Sequence, residues 1–203
     1  MEQDPTFELS GGDLGLDFAN TWGDRGRPET DKLRDYPDLL AFARQAGLLT
    51  AGEEARLAAQ AGRDPREAAA ALALARGLRE ALYRIFSAAA GGGAPEPADL
   101  ERLNAALPEA LSRLRLERRG EETVWGWAAP EGSLEAPLWP ILRSAAELLT
   151  SEERQRVREC AGSACTWLFL DHSRNRSRRW CSMETCGNRA KAHRHYRRRS
   201  EPG

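Results

Sequence analysis

The stretch Cys160-Ala161-Gly162-Ser163-Ala164-Cys165, answered after a 15-residue loop by Cys181-Ser182-Met183-Glu184-Thr185-Cys186, decides how this 203-residue chain is read. Two cysteine pairs at the two ends of such a loop are the donor set of a structural metal site. A Zn²⁺ ion takes four soft ligands in a tetrahedron, and a short knuckle supplies two of them. Two disulfides, or a cysteine-ligated iron–sulfur cluster, would use the same thiols and stand as the other readings. His172, His193 and His195 lie in the same segment, but four cysteines close the shell without them. A catalytic zinc needs an open position, and the His-x-Glu plus Pro-Cys-x-x-Cys pattern of zinc deaminases is absent. Cys160, Cys165, Cys181 and Cys186 are therefore the expected ligands and zinc the expected cofactor.

Inside the loop, Thr166–Leu170 reads as a strand, Asp171–Asn175 as a turn and Ser177–Trp180 as a returning strand that brings Cys181 back. After Cys186 the run to Arg199 lacks proline and is compatible with a helix. The order knuckle, hairpin, knuckle, helix resembles a treble-clef-like finger.

Charge follows the same division. Residues 151–203 hold 13 Lys and Arg against 6 Asp and Glu, a balance of +7, whereas residues 1–150 carry −8. The near-neutral whole-chain charge of −1 conceals this. A one-signed, metal-fixed segment is the footprint of a partner rich in phosphate, and 12 of its 13 basic residues are arginine, whose planar fork matches phosphate oxygens. Arg174, Arg176, Arg178 and Arg179 crowd the hairpin tip. Lys191, Arg194 and Arg198 share a face with Gly187 at helical spacing. Asn188 and Arg189 admit two readings, base-edge contact or support of the fold near the sulfurs.

The segment from Cys160 to Arg199 resembles the bacterial CGNR zinc finger. Trp167-Leu168-Phe169-Leu170-Asp171, Arg179-Trp180-Cys181-Ser182-Met183 and above all Cys186-Gly187-Asn188-Arg189 carry the likeness. Upstream, Gly11-Gly12, Leu16-Asp17-Phe18-Ala19-Asn20-Thr21 and Pro137-Leu138-Trp139-Pro140 resemble the ABATE-type domain found with that finger. The resemblance implies zinc, DNA binding by the finger, and a regulatory or sensing N-terminal domain in a predicted stress-induced transcription regulator.

The N-terminal part reads as helices with a hairpin. A short strand is expected to about Leu9 and a helix from about Asp13. Pro37 opens a helix that Gly47 stops. Thr50–Glu53 and Asp64–Glu67 have capping-box form. The second of these starts a long helix whose stripe runs through Leu72, Ala75, Leu78, Leu82 and Ile85. The tract Gly91–Pro97 reads as its terminator and a linker, since no strand precedes it and no Lys-Ser/Thr follows as in a phosphate loop. A short helix from Asp99 to Leu107 and two strands, Leu111–Arg118 and Thr123–Trp127, follow across the turn at Gly120. Trp125 and Trp127 share a face, as sheet cover or as a ligand platform. A helix from Leu138 to Leu149 precedes a further helical stretch ending near Cys160.

The expected fold class is thus α+β: residues 1–150 form a mainly α-helical N-terminal domain with a small β-hairpin, and residues 151–203 a treble-clef-like zinc finger. The first 150 residues contain neither histidine nor cysteine, which excludes acid–base or nucleophilic catalysis by those groups there. Asp17, Asn20 and Thr21 form a polar cluster, either a buried capping network or the lining of a small-ligand pocket beside Trp22 or Trp139. The expected protein is a cytoplasmic, non-enzymatic, zinc-containing DNA-binding regulator whose N-terminal domain senses a small-molecule effector or forms a homodimer, without membrane contact. The alternative is a zinc-stabilised interaction module for RNA or an acidic protein.

Overall fold

The computed structural model describes residues 5–128 and 132–192. Six helices and two small antiparallel sheets make up the described chain. Helix α1 (Leu14–Ala19) is started by Asp13, whose carboxylate accepts the Gly15 N–H. Helix α2 (Tyr36–Gln45) carries a full capping box between Asp35 and Asp38, and α3 (Ala51–Arg63) one between Thr50 and Glu53. Helix α4 (Pro65–Ala90) is the spine, with Asp64 accepting the Glu67 N–H at its start and Gly91 to Gly93 leaving it. Its buried stripe includes Leu72, Ala75, Leu78, Leu82, Ile85 and Phe86, the spacing of one helical face.

The expected strand ending at Leu9 does not form. Phe7 is held instead by side chains: its N–H donates to Gln45 Oε1 at 2.9 Å and its ring packs edge-on against Phe42. No neighbouring backbone offers this segment a ladder. Helix α5 (Pro97–Ser112) is longer than the expected span ending at Leu107, continuing through Pro108. Leu103, Leu107 and Leu111 are four apart, so helical periodicity persists past the proline, which removes one backbone bond without ending the helix.

The hairpin that follows, β1 (Leu114–Arg119) with β2 (Glu122–Trp127), pairs Leu114 with Trp127 and Leu116 with Trp125. Gly120 makes the turn at φ +64°, a left-handed conformation that glycine adopts without strain. Trp127 leans on Trp139 at 6.3 Å between ring centroids, while Trp125 stays half exposed beneath the Arg143 guanidinium. The sheet-cover reading therefore fits Trp127.

Helix α6 (Leu138–Thr150) buries Leu138, Trp139, Ile141, Leu142 and Ala145 against α1 and α5. The helical stretch expected next is instead a 3₁₀ turn, Glu152–Arg156, leading directly into β3 (Val157–Glu159). β3 pairs antiparallel with β4 (Leu168–Leu170), Val157 opposite Leu170 and Glu159 opposite Leu168. The strand after Cys165 thus takes its partner from before Cys160, and residues 177–180 form no strand. Val157, Leu168 and Leu170 face into the same apolar core as the helices. Phe169, on the opposite face, joins a second cluster with Trp167, Trp180 and the cysteines.

Candidate metal centre and nucleic-acid interface

The two knuckles converge because β3 and β4 hold their ends together. The Cys160 N–H donates to the Trp167 carbonyl at 2.8 Å, and the Ala161 N–H to the Arg179 carbonyl at 2.9 Å. The second bond draws the returning chain alongside the first knuckle and delivers Cys181. A turn over Met183–Gly187, closed by the Gly187 N–H on the Ser182 carbonyl, then carries Cys186 back to the same point. All four sulfurs lie within 4.8 Å of one another. Cys160, Cys181 and Cys186 are buried and Cys165 is half-buried.

The donor set fits a tetrahedral metal. Metal–sulfur bonds of about 2.3 Å place sulfurs roughly 3.8 Å apart. The Cys165–Cys181 and Cys181–Cys186 separations are both 3.7 Å, and all four cysteines are free thiols. Backbone amides already point at the sulfurs, the Cys181 N–H reaching Cys160 Sγ at 3.4 Å. Hydrogen bonds from the Cys165 and Cys181 thiols hold the Cys160 thiol far below its usual range. The same bonds, which keep those two protons on sulfur beside Cys160, push Cys165 and Cys181 well up. One negative sulfur suppresses the next, so four thiolates coexist here only around a cation.

Two glycines keep the cage open. A Cβ at Gly162 would come within 3.2 Å of Cys165 Cβ and 3.3 Å of Cys186 Sγ. At Gly187 it would meet Met183 Sδ at 2.8 Å and Trp180 Cδ1 at 3.2 Å. Both positions are set by space rather than by backbone angle.

Beyond the cage, the loop after β4 is organised by Asp171. Its buried carboxylate accepts the Ser173 N–H at 2.9 Å through one oxygen and the Arg178 N–H at 3.0 Å through the other. Burial alone would raise this carboxyl, but the bonds from Ser173 and Arg178 outweigh it and hold the group below the usual carboxylate range. Arg176, at φ +49°, turns the apex.

The basic residues fall into three groups. Arg174, Arg176, Arg179, Arg189 and Lys191 are exposed. Arg178 is different: its guanidinium turns inward, stacks 4.3 Å from the Phe169 ring centroid and donates to the Trp180 and Cys181 carbonyls. This arginine, grouped with the phosphate contacts on sequence, braces the loop from inside. Arg194 and Arg198 lie outside the described residues. Asn188 is exposed and its amide donates to the Glu184 carbonyl at 3.2 Å, securing the turn that places Cys186. His172 is exposed beside Glu153, remote from the ligand role.

The polar cluster of α1 touches the finger. Asn20 is buried; its Nδ2 donates to the Leu168 carbonyl and its Oδ1 accepts the Leu168 N–H, each at 2.8 Å. The Leu170 N–H donates to the Gly11 carbonyl at 2.8 Å, and the Thr166 N–H to that of Gly23. Asp17 accepts the Gly11 N–H at 2.7 Å, and the Thr21 hydroxyl donates to the Phe18 carbonyl. A Cβ at Gly11 would collide with Asp17 Oδ1 at 2.9 Å, so the glycine allows this docking. Asn20 thus completes the free edge of β4, and its neighbours Asp17 and Thr21 hold the surrounding turns.

Sequence reading missed a second link. Arg79, in the apolar stripe of α4, is almost wholly buried and forms a two-pronged pair with Asp31 at 2.6 and 2.8 Å. Beside it, Arg25 bridges Glu80, the Ala19 carbonyl and Thr166 Oγ1 while lying 3.5 Å from the Tyr83 ring centroid. Tyr83 and Ser87 in turn donate to the Glu159 carboxylate of β3. The only sequence signal was a four-residue spacing of Arg76, Glu80 and Arg84 with Arg79 between them.

No helix among the described residues is long and apolar enough to cross a membrane. No curated protein matches the chain at a significant level. A family model named ABATE, described as "Putative stress-induced transcription regulator", matches residues 12–152, and the CGNR zinc finger model matches residues 156–199. The order is that expected from the sequence, and the first match covers well over half of the 203 residues. The chain belongs to the ABATE family, with a CGNR zinc finger following the family domain.

Proposed function

We propose that this protein is a DNA-binding transcriptional regulator in which zinc, held by Cys160, Cys165, Cys181 and Cys186, fixes a finger that grips DNA phosphates, and in which the helical domain is regulatory. The observation that carries the reading is the set of five exposed cations, Arg174, Arg176, Arg179, Arg189 and Lys191, all borne on the stretch of chain that supplies the last two cysteines of the four-sulfur cage. None of the five has a carboxylate partner among the described residues. Zinc suits the donors because four thiolates leave no open position, which is a structural rather than a catalytic arrangement.

The acidic helical domain favours the finger as the surface that meets DNA, since its own field repels the duplex. The reading is of a binding protein without an enzymatic step. Asp17 is committed to the Gly11 amide and Asn20 to Leu168, so the α1 cluster serves the contact with the finger. Localisation in the cytoplasm follows from the same role.

The test is a gel-shift series on zinc-loaded protein with duplex DNA, single-stranded RNA and an acidic polypeptide. Salt-sensitive retention of duplex DNA supports the reading. Preferential retention of RNA or of the polypeptide replaces it with a zinc-stabilised interaction module.

A further inference from the structure

A cavity of about 470 Å³ opens between α4, α5 and α6, a size within the usual range of small-molecule sites. Its floor is apolar, made by Leu74 and Leu78 of α4 and Leu138, Trp139 and Leu142 of α6. The space exists because α5 opposes these large side chains with Ala98, Ala105 and Ala106.

The rim is charged and unevenly satisfied. Glu109 is bound to Arg113, whereas Glu101 and Glu135 have no ion pair or side-chain hydrogen bond among the described residues. Arg102 lies against the α4 backbone at Gly77, where a Cβ would come within 2.7 Å of its Nη1. The surrounding segment, residues 1–150, carries a balance of −8, which raises the local concentration of cations over anions.

We propose that this groove binds an apolar organic cation of drug-like size, with its hydrocarbon against the leucines and Trp139 and its charge at Glu101 and Glu135. An anion would face Glu101, Glu135 and the field of the whole domain, set against the single cation Arg102. A small hydrated cation would gain nothing from the apolar floor. A cation that carries its own hydrocarbon uses both features, and the carboxylates at the rim supply the counter-charge without being buried. This goes beyond the DNA-binding reading and does not depend on it, since binding is measured without nucleic acid.

The experiment is calorimetric titration of the full-length, zinc-loaded protein with tetraphenylphosphonium and with tetraphenylborate, ions of similar shape and opposite charge. Two variants accompany it, E101Q/E135Q and Ala105→Trp, all at exposed positions where folding is checked by thermal melting. The expected result is one saturable site for tetraphenylphosphonium, weakened about tenfold by E101Q/E135Q, and lost in Ala105→Trp with the melt retained. Absence of saturable cation binding overturns the proposal, as does binding that Ala105→Trp leaves unchanged. Equal affinity of the Ala105→Trp-sensitive site for tetraphenylborate also overturns it. So does a parent dimer that Ala105→Trp converts to a monomer, because a second chain would then fill the groove.

Discussion

Asn20 and Leu168, 148 residues apart, exchange two hydrogen bonds of 2.8 Å, the carboxamide of one side chain matching both backbone groups of the other residue. The side chain acts as one residue of a missing strand. It closes the edge of β4 that β3 leaves open, and it does so almost wholly buried.

Replacing Asn20 by Ala strands the Leu168 N–H and C=O in the core. Each buried, unsatisfied group costs about 1–3 kcal/mol, so a loss of about 2–6 kcal/mol is expected in urea unfolding. Asn20→Asp retains an acceptor but no donor and adds charge, and is expected to be at least as damaging. A loss below about 0.5 kcal/mol would show that the clamp contributes little.

Cys165→Ser is expected to release the metal and loosen residues 160–187. The helices and the β3–β4 ribbon stay folded, because Val157, Leu168 and Leu170 belong to the main core. Metal analysis should fall from one equivalent toward zero, while amide exchange in β4 stays slow. Zinc-loaded parent protein should be colourless; a visible charge-transfer band identifies iron instead.

The arginines of the loop divide by experiment. Alanine at Arg174, Arg176 and Arg179 together is expected to leave stability within about 0.5 kcal/mol. It should also flatten the salt dependence of DNA binding by roughly 0.9 log units per lost phosphate contact. Arg178→Ala should instead destabilise the finger by about 1–3 kcal/mol, since the Trp180 and Cys181 carbonyls lose their donor. Equal effects of both variants on stability would contradict the division.

Burial raises the Asp17 carboxyl from 3.8 to about 6, against the lowering effect of the Gly11 N–H. The folded state therefore holds this proton more tightly than the unfolded chain does. Its contribution to stability is full below about pH 4 and is lost as pH rises through 6. Asp17→Asn keeps the acceptor for Gly11 and removes the titration. It should stabilise the protein by about 1–2 kcal/mol at pH 7.5, after allowance for partial solvent screening, by about half as much at pH 5, and by little at pH 3.5. Parallel melting curves for the two proteins across that range would count against it.

Much of this molecule was legible from local signals. Capping residues announced α2, α3 and α4, and the four cysteines announced the metal centre, because both depend on near neighbours and fixed spacing. Strand pairing in the finger was not legible. From sequence, residues 166–170 paired forward with 177–180 and the stretch before Cys160 read as helical; the pairing with 157–159 belongs instead to the core that Val157 and Leu170 share. Arg178 was indistinguishable by type from Arg176 and Arg179; the Phe169 ring, on the face of β4 away from the main core, turned it inward. Asp17, Asn20 and Thr21 advertised polarity inside an apolar stretch, but their partners lie beyond residue 160 or in the turns beside α1.

The contribution of Gly11, Asn20 and Gly23 to the edge of β4 also bears on grafting. A recombinant boundary drawn between residues 152 and 156 would keep both strands of the β3–β4 sheet with the finger but part β4 from the Gly11 and Asn20 groups that satisfy its outer edge. Any chimera that exchanges fingers within this family should therefore bring along the recipient-side loop from residue 11 to residue 23, or redesign it to match the incoming strand.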